Sequence, residues 1–80
     1  MDEVHTHIDT IEREARMLMD CLSEAREHLA GKDPQSACNS LSMGGVSIMQ
    51  MRAEWSEVMW AFRQDGMSPI IDLGAPTNLG

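Results

Sequence analysis

Two apolar seams of identical spacing leave a chain like this few ways to fold. The first is Val4, Ile8, Ile11, Ala15, Leu18, Leu22, Ala25 and Leu29, with steps alternating between 4 and 3. That is an unbroken heptad stripe on one face of a helix. The second is Ala37, Leu41, Gly44, Ile48, Met51, Trp55, Val58 and Phe62, with the same alternation. Between them lies Gly31-Lys32-Asp33-Pro34. Gly31 reads as the left-handed residue that ends a helix, and Asp33-Pro34 as an N-cap followed by proline at the first helical position. If the chain folds back at Asp33, residues whose numbers add to 66 face each other, and one turn satisfies every layer. Several layers also pair large with small: Ala25 with Leu41, Leu22 with Gly44, Ala15 with Met51.

The predicted fold is therefore all-α: an antiparallel, coiled-coil-like hairpin over residues 1–66. One helix spans 2–30, a turn 31–33 and a second helix 34–64, followed by an irregular, extended tail over 67–80. Gly44-Gly45 is the weak point of the second helix, since each glycine costs about 1 kcal/mol relative to alanine. The pair reads either as a kink or as close packing, because Ser36, Ser40 and Gly44 recur every four residues and admit a neighbouring backbone. The tail holds Pro69 and Pro76 and no helical period, yet Ile70, Ile71 and Leu73 are too apolar for a plain linker.

Apolar residues exceed what the seams can bury. In Met17-Leu18-Met19-Asp20-Cys21-Leu22 only Asp20 is polar, so apolar surface wraps well round the first helix. On the second helix Val46, Met49, Ala53 and Trp60 form a stripe opposite its seam. The economical reading is that hairpins associate with each other. Met17, Met19, Cys21, Val46, Met49, Ala53 and Trp60 are the expected oligomer or partner interface, and a symmetric homo-oligomer, at least a dimer, is the expected assembly.

Composition narrows the function. Thirteen acids against six bases give a net charge of −7, which argues against binding duplex nucleic acid through its phosphates. No run approaches the ~20 apolar residues of a membrane span, and two cysteines make no disulfide scaffold, so a cytoplasmic protein is expected. His5 and His7 point about 200° apart on a helix and His28 lies three heptads beyond, so no metal site is expected. Cys38 near His28 has neither an orienting third group nor a pocket. With no glycine-rich phosphate loop, no ligand-spaced Cys/His cluster and no nucleophile beside a base, neither catalysis nor a cofactor is expected.

Two functional readings follow. In the first, the chain is a small acidic interaction protein, an inhibitor or adaptor that binds another protein by helix-in-groove contacts. Its composition suits phage or mobile-element inhibitors. In the second, pockets between subunits bind or sequester an anionic, nucleotide-like ligand, with Arg26, Lys32, Arg52 and Arg63 repeated around the symmetry axis. The helix ending Glu57-Val58-Met59-Trp60-Ala61, within this two-helix architecture, loosely resembles phage hairpin proteins that sequester cyclic-nucleotide immune signals. No site residue carries over from that likeness.

Overall fold

The computed structural model describes residues 2–71. Two helices, α1 (Asp2–Ala30) and α2 (Pro34–Gln64), pack side by side in antiparallel fashion, with no strand among the described residues. The pair is one helical layer. The tail expectation concerns 67–80, of which 72–80 lie outside the described residues. Within the described part, Ser68 to Ile71 have no regular structure, and Ile70 and Ile71 are exposed.

Both helices end in the same motif. At the end of α1, Lys32 N–H donates to the Leu29 carbonyl (3.0 Å) and Asp33 N–H to the His28 carbonyl (2.8 Å). At the end of α2, Gly66 N–H donates to Arg63 (3.0 Å) and Met67 N–H to Phe62 (3.0 Å). These are Schellman pairs, which close the carbonyls left open by the last turn. The left-handed residue is Gly66 (φ 81°) in the second and Lys32 (φ 59°) in the first. Gly31 therefore does not hold the left-handed position expected of it; it is the last residue before that position, and lysine bears the strain.

Asp33 then opens α2. Its Oδ1 accepts from Ser36 N–H (3.1 Å) and its Oδ2 from Ser36 Oγ (2.6 Å), with Pro34 in the first turn. One residue thus finishes the cap of α1 and begins α2, which keeps the turn to three residues. α2 runs unbroken through Gly44-Gly45.

The line of contact between the helices is not the one the apolar spacing implies. On α1 the buried or half-buried side chains that follow a 3–4 spacing toward α2 are Val4, His7, Ile11, Glu14, Leu18, Cys21, Ala25 and His28, with Thr10 and Ala15 half-buried beside them. On α2 they are Ala37, Ser40, Gly44, Ser47, Met51, Glu54, Val58 and Ala61, with Ser36, Gly45, Met59, Phe62 and Arg63 half-buried outside that line. Half of each expected seam is retained. In the other half, Ile8, Leu22, Leu29, Leu41, Ile48 and Trp55 give way to the residue one position earlier, while half-buried Ala15 and Phe62 share their layers with Glu14 and Ala61. At 100° per residue, each helix is turned about 50° from the orientation that would point its apolar stripe at its partner. The register moves with it. A Cβ built on Gly44 would stand 3.4 Å from Cys21 Cβ and 3.0 Å from Leu18 Cδ1, so Cys21, not Leu22, lies opposite Gly44. Gly44 thus sits between Leu18 and Cys21, and His7 reaches Glu54 across the hairpin.

The cause is visible in the residues selected. Ala25, Ala37, Ser40, Gly44 and Ser47 are the most deeply buried positions apart from Val4. Small side chains let the backbones approach closely, whereas Leu22, Leu41 and Trp55 between the helices would hold them apart. Near the open end, His7 Nδ1 and Glu54 Oε2 form a bond across the hairpin, and Glu54 Oε1 also accepts from Gln50 Nε2 (3.1 Å). A polar pair made across the seam penalises slipped registers.

Candidate interaction surface

The rotation has a direct effect on the surface. In an antiparallel pair, the displaced residues of both helices lie on the same broad side. Ile8, Ala15, Leu22 and Leu29 from α1 and Leu41, Ile48, Trp55 and Phe62 from α2 therefore form one apolar face along the hairpin. Ala15 and Phe62 are half-buried, and the other six are 39–57% exposed. These residues were assigned above to the interior of the hairpin. The signal that could have reassigned them is the run of small residues at Ala37, Ser40, Gly44 and Ser47, which marks the closer approach.

The residues expected to form the interface fall on different sides. Met19 borders the apolar face, while Met17 lies on the opposite broad side, and both are exposed. Cys21 is half-buried in the seam against Gly44 and is not available to a partner there. Val46, Met49, Ala53 and Trp60 do share a side, the outer flank of α2 turned away from α1. Their exposure is high, 60% for Val46, 73% for Met49 and 59% for Trp60.

The four candidate cations do not converge within one chain. Lys32 is in the turn and Arg63 near the far end of α2, over 40 Å away at 1.5 Å per residue. Arg26 and Arg52 are exposed on the two rims of the apolar face, about 20 Å apart along the axis by the same rise. Arg63 is half-buried and engaged.

A cleft of about 310 Å³ opens at the end away from the turn, lined by Glu3, His7, Glu57, Trp60, Ala61, Gln64 and Asp65. Three carboxylates give it a negative field, which disfavours an anion there. Among the described residues no group of three or more His, Cys, Asp or Glu is placed to hold a metal, and no helix is long and apolar enough to cross a membrane. Asp33, the N-cap of α2, is a shifted acid. Its carboxyl lies below its ordinary range, first through the Ser36 hydroxyl, then through the Ser36 backbone N–H, with a smaller contribution from His28.

No protein-family model, curated protein or solved structure matches the chain. The reading of this surface therefore rests on its own geometry.

Proposed function

We propose that this chain is a non-catalytic interaction protein that self-associates and acts as an inhibitor or adaptor, docking the outer flank of α2 into a groove on another protein. The observation that carries this reading is the stripe of Val46, Met49 and Trp60 on a flank that α1 cannot cover. Residues at these spacings are the anchors of helix-in-groove recognition, and Trp and Met are side chains such contacts favour. The acidic chain suits a groove with a basic rim.

The test is affinity capture from a host extract with the intact chain and with a Val46→Asp/Trp60→Asp variant, followed by binding of the purified captured protein to both. The expected outcome is one saturable partner held by the intact chain and lost by a variant of unchanged helicity. Equal capture by the two chains would overturn the assignment of the flank. An anionic ligand gains no support within a single chain, since its cations are dispersed and its cleft is acidic.

A further inference from the structure

The apolar face is distinct from the outer flank of α2, and its geometry specifies an occupant. On each helix the centre of the apolar stripe lies about 50° from the line joining α1 to α2, displaced to the same side. In a square four-helix bundle the central axis lies about 45° from the line joining any helix to its neighbour. The apolar stripes of this hairpin therefore aim where the axis of such a bundle would run, so each hairpin is half of one. We propose that a second copy of the chain covers this face. The resulting four-helix bundle has a two-fold axis parallel to the helices, and α1 of each copy lies against α2 of the other. This deepens the self-association in the functional reading above by assigning its surface and its symmetry.

Three further observations support a second copy over a foreign partner. The six exposed residues present roughly 600 Å² of apolar surface, at the top of the range a monomer leaves in one patch and near the ~800 Å² per partner of a stable interface. Charge is distributed to allow self-contact: in a chain of net charge −7, Glu12 is the single acid on this face or its rims among the described residues, while Arg26 and Arg52 are both there. The rims also complement each other. A two-fold axis along the helices keeps every residue at its own height, so Glu12 comes within about a residue's rise of Arg52 of the second copy, Met19 of Gly45 and Arg26 of Cys38. Gly45 has nothing within 4 Å of where its Cβ would stand, which leaves room for the Met19 side chain. Turning the second copy so that α1 meets α1 would instead set Glu12 beside Met19 and Arg26 beside His5, with no opposite charges paired.

Light scattering with size exclusion at tens of micromolar should give roughly 18 kDa, twice the chain mass of 8.9 kDa. Leu22→Glu/Ile48→Glu should raise the dimer dissociation constant at least about 100-fold. Arg26→Cys, mildly oxidised, should run as a covalent dimer on a non-reducing gel, and adding Cys38→Ser should abolish the band. Within one chain, positions 26 and 38 lie on opposite rims and cannot join. A monomeric intact chain would overturn both this inference and the self-association it rests on. A dimer that survives Leu22→Glu/Ile48→Glu but is broken by Val46→Asp/Trp60→Asp would overturn this face alone. A dimer with no covalent band after oxidation would overturn the arrangement of α1 against α2. The cross-link reports on the assembly even if the glutamate variant fails to fold.

Discussion

Lys32 occupies a backbone position that glycine adopts without cost, and Gly66 occupies its counterpart with glycine in place. The two Schellman motifs are thus an internal control. Lys32→Gly is expected to stabilise the fold by about 1 kcal/mol, and Gly66→Ala to destabilise it by a similar amount. Urea denaturation at fixed protein concentration measures both. Asp33 provides a pH test. Its carboxyl is depressed in the folded chain, so its contribution is complete above the ordinary carboxyl value and is lost as pH falls through the lowered folded one. Helicity monitored between pH 6 and pH 2 should show Asp33→Ala less stable than the parent at neutrality, with the gap closing below about pH 4. Asp33→Asn should keep much of the cap and remove this part of the pH dependence.

At the scale of the helices, the sequence was legible in some respects and misleading in one. Regular 3–4 spacing identified two helices, and Asp33-Pro34 identified where the second begins, because both signals are local. The contact line between the helices was not legible from hydrophobicity. Leu22, Ile48 and Trp55 are as apolar as a hairpin core requires, and a stripe pattern cannot say whether one neighbour or two will cover it. Small residues at Ser40, Gly44 and Ser47 decided the matter, since close approach depends on size more than on apolarity. Adjacent glycines should accordingly behave differently. Gly45→Ala adds a Cβ in open space of the hairpin and should stabilise it by about 1 kcal/mol. Gly44→Ala gains the same helix propensity but presses on Leu18 Cδ1 at 3.0 Å, so its thermal unfolding midpoint should rise less. The proposed docking flank of α2 gathers only part of the expected interface: Val46, Met49, Ala53 and Trp60 share a side, whereas Met17, Met19 and Cys21 do not.

For the whole molecule, a single layer of two helices cannot enclose a core, and among the described residues no large side chain is fully buried. Stability should therefore depend on concentration. The thermal midpoint is expected to climb with protein concentration over a hundredfold range, as mass action requires of a folded dimer, and a flat midpoint would contradict this. Fluorescence offers a local readout. In a Trp60→Phe chain Trp55 is the single indole, and its emission should shift to longer wavelength on dilution as the face opens to water.

The short turn has a consequence for valency. It sends α2 back antiparallel, so Asp2 and Gln64, the outer ends of α1 and α2, both lie at the pole away from Lys32. In the proposed dimer, an axis parallel to the helices would gather four helix ends at one pole and two turns at the other, giving an assembly with a head and a tail. A segment or fused module at either terminus would be displayed twice, about 20 Å apart, a bundle width set by helix diameters of 10–12 Å. Two weak contacts held at that spacing act with high local concentration on a paired or repetitive target, while the turns at the other pole stay clear.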